Sequence, residues 1–198
     1  MKVTIPYTPR KQQAFIHTEL DKHRFSVLCC HRRFGKTVML INHLIKCCMM
    51  NKNHQPRFAY IAPTYSQAKK IAWDYLKFYT KGLPNTKYNE TELRCDFFNG
   101  SRITLLSSEN PDSIRGIYLD GVVCDEASQI SRELIDEVIR PAIADRKGWM
   151  SLCSTPKGMN NIFYDMYLKA QSEDDWFLYT AKASETNLVD KEELDAAF

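Results

Sequence analysis

Two clusters of side chains in this 198-residue sequence are of the kind that handles phosphates. The first is His31-Arg32-Arg33-Phe34-Gly35-Lys36-Thr37. Glycine, lysine and a hydroxyl in that order suit a loop whose backbone N–H groups cradle phosphate oxygens. The lysine reaches the β and γ phosphates, and the threonine offers its oxygen to magnesium. The strict pattern GxxxxGK[ST] asks for glycine at position 30, where this chain has Cys30, so it fails by one residue while the rest of the spacing holds. The second cluster lies 89 positions after Lys36, where Asp125 and Glu126 close the apolar run Gly121-Val122-Val123-Cys124. At the carboxyl end of a buried strand beside a phosphate loop, Asp125 is suited to holding magnesium through a water, and Glu126 to orienting and deprotonating an attacking water. Taken singly, the first cluster also reads as a basic turn and the second as a charge pair at a helix start. Taken together they point to nucleotide hydrolysis rather than kinase-type transfer. A third feature, Ser154-Thr155-Pro156-Lys157-Gly158, ends the run from Trp149 to Cys153. Either its hydroxyls bond the γ phosphate or the catalytic carboxylate and so sense the phosphate, or the segment is a plain turn.

Positioning these groups requires strands that end where helices begin. Short apolar runs at Phe25–Cys30, Phe58–Ala62, Arg102–Leu106, Val122–Asp125, Met150–Ser154 and Phe177–Ala181 read as strands, several of them apolar on both faces. Helical periodicity fits Gln12–Asp21, Lys36–Met50, Ser66–Thr80, Ser131–Ile139 and Asn161–Ala170. The alternation predicts a parallel sheet covered by helices. Pro84 to Arg94 is polar and reads as a loop or a hairpin. The last residues, Glu192 to Phe198, still read as helical, a pattern compatible with a fragment of a longer chain.

Composition bounds the classes. With 44% hydrophobic, 26% charged and 12% aromatic residues the chain can fill one core, and disorder is excluded. No apolar run approaches the roughly 20 residues that cross a bilayer. The opening MKVTIPYTPRK lacks the apolar stretch of a signal peptide, so an intracellular, unanchored protein is expected. Seven cysteines, an odd number without CxxC spacing, are expected to be reduced core thiols. The net charge of +3 hides an asymmetry. Residues 1–100 hold 17 Lys and Arg against 6 Asp and Glu, whereas residues 101–198 hold 10 against 18. A basic half fits phosphate binding, and scattered solvated lysines fit it equally.

The order and spacing of HRRFGKT, VVCDEA and STP resemble the ATPase domain of the large terminase subunit of tailed double-stranded DNA bacteriophages, over nearly the whole chain. The resemblance implies a three-layer α/β/α RecA-like P-loop ATPase with a mainly parallel sheet, in which a strand lies between those of the two phosphate motifs. It implies ATP and Mg2+ as ligands, the metal at Thr37 and Asp125, with Lys36 and Glu126 catalytic. Arg32 matches the family's arginine in the phosphate loop, and Arg33, Phe34 and Gly35 complete that loop, Arg33 chiefly by shaping it. In the opening YTPRKQQAFIH the adenine contact falls on Gln13, with Gln12 adjacent and the choice between them open. Arg115, eleven residues before Glu126, matches the arginine that the family inserts into a neighbour's site. Ser154 and Thr155 match the motif that couples hydrolysis to movement. The stretch from Ile61 to Lys70 resembles the family's APTxxQA segment, with Ser66 as the expected helix cap; it either faces DNA or simply starts a helix.

By the same resemblance the domain would drive double-stranded DNA into a procapsid, as a ring of five subunits on the portal protein, with a small terminase subunit as partner, in the cytoplasm of an infected bacterium. The family's nuclease needs clustered aspartates, and nothing after Ser154 offers them. Residues 1–198 are therefore expected to form one ATPase domain that does not cut DNA, with Glu173-Asp174-Asp175 a solvated loop. Two other readings remain at this level: a helicase-like translocating ATPase, and a nucleotide-gated assembly switch with little turnover.

Overall fold

A computed structural model describes residues 4–186 and Leu188. The expected helix at Glu192 to Phe198 lies outside the described residues. Among the described residues, eight strands form one sheet: β1 (Phe25–Cys30), β2 (Arg57–Ala62), β3 (Lys87–Asn89), β4 (Arg94–Asp96), β5 (Arg102–Ser107), β6 (Gly121–Asp125), β7 (Trp149–Ser154) and β8 (Trp176–Ala181). Their order across the sheet is β3-β4-β5-β2-β6-β7-β1-β8. From β5 to β8 every pairing is parallel, and β3 and β4 extend the β5 edge as an antiparallel hairpin. Of the two readings of the polar stretch before Arg94, the hairpin is the one formed.

Period-2 alternation sorts the strand residues onto two cores. Leu28, Cys30, Phe58, Tyr60, Val123 and Cys153 face helices α1 (Lys11–Leu20), α2 (Lys36–Met50) and α3 (residues 65–80). Val27, Cys29, Ala59, Ile61, Cys124 and Leu152 face α4 (residues 134–144) and α5 (Ile162–Ser172). The result is a three-layer α/β/α domain, and it explains why adjacent cysteines occur: Cys29 and Cys30 point into opposite cores. All seven cysteines are free thiols. Burial pushes Cys30 up to about 12, so these groups serve as small core residues rather than nucleophiles.

Several boundaries and one cap differ from expectation. The cap of α3 is Thr64, whose Oγ1 accepts from Gln67 N at 3.2 Å, not Ser66. Thr64 follows Pro63 in extended backbone, φ −128° and ψ 153°, the geometry a cap needs, whereas Ser66 is already inside the first turn. Within α3 the residues Ala68–Trp73 form wide π-type turns, as do Leu134–Ile139 in α4, which continues through Arg140–Ala144, beyond the expected end at Ile139. Gly121 permits a close approach that no other residue would allow, since a Cβ there would lie 2.3 Å from the Trp149 ring.

Under α1 lies a polar contact inside the first core. The rings of His17 and His43 stack at 5.3 Å, with their Nδ1 atoms 3.1 Å apart, and Tyr7 OH is 3.0 Å from His17 Nε2. Only one proton fits between two Nδ1 atoms, so this contact excludes the doubly charged pair. Burial, followed by the charge of Lys46, lowers His17 to about 4. Burial, followed by His17, lowers His43 to about 3.

Candidate active site

The topology places β7 between β1 and β6. The phosphate-type loop after β1, the carboxylates after β6 and the hydroxyls after β7 therefore emerge side by side from the carboxyl edge of the sheet, where open α/β sheets bind ligands. They border a cleft of about 400 Å³ lined by Arg32, Thr37, Tyr60, Asp125, Glu126 and Thr155, with Gln67 and Lys157 on its walls.

The loop between β1 and α2 explains the missing glycine. Cys30 is still strand, paired in register with Ala181, so no left-handed residue is needed there. The turn is made later, by Arg33 at φ +66° and Gly35 at φ +78°. A non-glycine residue in that region costs about 1–2 kcal/mol, which fits the loop-shaping role expected of Arg33. Phe34 is fully buried, backbone and side chain, and supports the loop from beneath. Lys36 Nζ donates to the carbonyls of Cys30 and His31 at 3.2 and 3.3 Å, bracing the loop from inside.

Of Gln12 and Gln13, Gln13 is the one buried against the loop. Gln13 is 3% exposed, and its Nε2 lies 3.4 Å from the Phe34 carbonyl and 3.5 Å from that of Gly35. The guanidinium of Arg10, which sequence reasoning did not single out, also donates to the Phe34 carbonyl and lies over the Phe34 ring. Arg10 and Gln13 together clamp the loop from α1. A Cβ on Gly35 would come 3.1 Å from Gln13 Nε2, a second reason for glycine there.

At the end of β6, Asp125 is 7% exposed and receives three donors. Thr37 Oγ1 donates to Oδ2 at 3.0 Å, the Tyr60 hydroxyl donates to the same oxygen, and Glu126 N donates to Oδ1 at 3.0 Å. Burial, with Asp125 next to it, pushes the Tyr60 phenol well above its ordinary range, so it stays a donor. Magnesium takes hard oxygen ligands in octahedral geometry and keeps several waters. A threonine hydroxyl and a carboxylate 3.0 Å apart at the head of α2 fit that requirement. Glu126 is left-handed, φ 48° and ψ 44°, a strained conformation for a side chain of its size and one that active sites often store. Its Oε2 accepts long hydrogen bonds from Ser154 Oγ at 3.5 Å and Thr155 Oγ1 at 3.4 Å. Ser154 Oγ is held in turn against Ser128 Oγ at 2.8 Å. The serine-threonine segment thus touches the Glu126 carboxylate.

Arg115 is not brought to this cleft. It is exposed, with Nε 3.2 Å from Asp112 Oδ1 and Nη2 3.6 Å from Glu133 Oε1. Tyr60 escaped sequence reasoning although it carried a signal: a phenol in a strand buried on both faces needs a polar partner.

A family model described as terminase large subunit, T4likevirus-type, N-terminal, matches residues 31–196. The large terminase subunit of Thermus phage G20c is 29% identical over 181 residues, covering 82% of this chain and 36% of its own length. The chain thus spans about a third of that relative. The large terminase ATPase domain of Thermus phage P74-26 superposes with a TM-score of 0.73 at 25% identity, covering 89% of this chain and 82% of that one. The large terminase of another thermophilic bacteriophage, solved in complex with ADP, gives a TM-score of 0.77 at 16% identity over 94% of this chain and 48% of that one, a likeness of fold. With the family model spanning most of the sequence and the same α/β architecture in these structures, the chain belongs to the N-terminal family of T4-like-virus-type large terminase subunits.

Proposed function

We propose that this domain hydrolyses ATP in the cleft between Thr37, Asp125 and Glu126, and that the energy drives double-stranded DNA into a viral procapsid. The observation that carries the reading is the position of Glu126. It lies next to the Thr37–Asp125 pair and touches Ser154 and Thr155 on the neighbouring strand end. A carboxylate so placed takes a proton from water as the water oxygen attacks the γ phosphorus; ADP leaves, and phosphate carries the added oxygen. Lys36 and Arg32 supply positive charge to the phosphates, and Gln13 reads the adenine. Thr37 and Asp125 would hold a magnesium ion, which when bound neutralises charge on the phosphate oxygens. The thermophilic-phage terminase solved both with ADP and with ATP-γ-S supports a nucleotide in this fold.

Loss of the γ phosphate frees Glu126 to change its bonds to Ser154 and Thr155, which move with β7. In the working motor we place several copies in a ring, five by family resemblance, docked on the portal and served by a small terminase subunit, with Arg115 of one copy acting at the next. The infected bacterial cytoplasm is the corresponding compartment.

Phosphate release measured against protein concentration, with and without double-stranded DNA, tests this reading. Magnesium-dependent turnover that rises faster than linearly with concentration is expected. ATP binding without turnover at any concentration, with DNA present, would overturn it in favour of a nucleotide-gated switch.

A further inference from the structure

The Tyr60 hydroxyl sits at the floor of the cleft, and the residue is 2% exposed. It reaches Asp125 across the β2–β6 pairing, where Tyr60 and Val123 are in register and Asp125 lies one side-chain period beyond. Thr37 donates to the same oxygen from the first turn of α2, while Glu126 N holds the other oxygen. One carboxylate therefore ties together a central strand, the strand that bears it and the helix behind the phosphate loop. A threonine hydroxyl can keep its proton on Asp125 while a lone pair faces a cation, so that bond follows the cation's ligands and does not by itself fix the carboxylate. The phenol and the Glu126 N–H come from the sheet side, one on each oxygen, and together they stop the carboxylate from rotating.

Resting on the proposed Mg–ATP site, we propose that Tyr60 is a positioning residue that fixes the Asp125 carboxylate for the metal of the metal–nucleotide complex. Loss of the partner that orients a metal-facing ligand typically weakens metal binding by about 10- to 100-fold. Tyr60→Phe retains the ring that fills the first core and removes only the hydroxyl. A residue that merely packs would change thermal stability and leave metal dependence where it was.

The test is Mn2+ binding to the ADP-bound domain, followed by electron paramagnetic resonance, beside ADP affinity in EDTA. Tyr60→Phe should need about 10-fold more Mn2+ for half-saturation, with ADP affinity in EDTA within about twofold of the parent. Equal Mn2+ titrations in parent and variant would overturn the role of Tyr60 alone. A parent that binds no Mn2+ with ADP would overturn it together with the proposed site. Should the phenylalanine variant misfold, 3-fluorotyrosine placed at position 60 gives a second reading by fluorine NMR. Its resonance should shift when Mg2+ is added to the ADP complex and stay put when ADP is added in EDTA; no response to Mg2+ would overturn the proposal.

Discussion

Thr37 and Asp125, 88 positions apart in the chain, are joined by a 3.0 Å hydrogen bond from Oγ1 to Oδ2. The bond connects the first turn of α2 to the end of β6, and β7 with Ser154 and Thr155 lies between the strands that lead to them. Strand order makes this possible: three loops that carry oxygen and nitrogen ligands leave the sheet from three adjacent strands. In the proposed motor, this adjacency is what would couple chemistry at the edge to movement of β7.

Ser154→Ala with Thr155→Val removes both hydroxyl donors to Glu126. Each is a long bond, 3.5 and 3.4 Å, so the effect on hydrolysis itself should be modest. We expect the ATPase rate to fall by about tenfold or less, equivalent to about 1.4 kcal/mol. Stimulation by double-stranded DNA should disappear. Phosphate release with and without DNA measures both, and an undiminished DNA response would contradict a coupling role.

The buried histidine pair predicts an acid-sensitive fold. The folded values, about 4 for His17 and about 3 for His43, lie below the ordinary value of 6.5. The unfolded chain therefore takes up protons that the folded chain refuses as pH falls through 6.5. Stability is full above that pH and declines toward pH 4 and below, by up to about 1.4 kcal/mol per pH unit for each histidine. Tyr7, Lys46 and Asp21 surround the pair and stay in place in a His17→Gln variant. Urea midpoints at pH 7, 6, 5 and 4 should fall steeply in the parent and more gently in that variant. Parallel acid limbs would contradict the neutral-pair assignment.

Much of this arrangement was legible because parallel strands buried on both faces are continuous apolar runs. Phe25–Cys30 and Lys36–Met50 keep the expected limits, and both acidic residues fall at a strand's end. The parts that were not legible depend on partners distant in the chain. Nothing near Tyr60 names Asp125, 65 positions on, and nothing near Arg10 names the Phe34 carbonyl. Ser66 and Thr64 are both good caps by type, and only the backbone torsion chooses between them. The wide turns in α3 and α4 leave no mark on an apolar period.

Arg115 faces carboxylates of its own chain and lies off the cleft. A transition-state arginine supplied by a neighbour is worth about 10³- to 10⁵-fold in rate. Arg115→Ala should thus turn over ATP about 10³-fold more slowly, while binding a fluorescent ATP analogue normally. Mixed with a Glu126→Gln protein it should regain activity, because some sites then pair an intact Glu126 with a neighbour's intact Arg115. No regain at high protein concentration would contradict action between subunits.

The most direct measurement is on Glu126→Gln, which keeps size and hydrogen-bonding capacity but cannot accept the water's proton. Equilibrium binding of ATP and single-turnover hydrolysis should be measured on the same preparation. ATP affinity should stay within about threefold of the parent, and the hydrolysis rate should fall by about 10²- to 10⁴-fold. Turnover equal to the parent's would show that cleavage does not use this carboxylate.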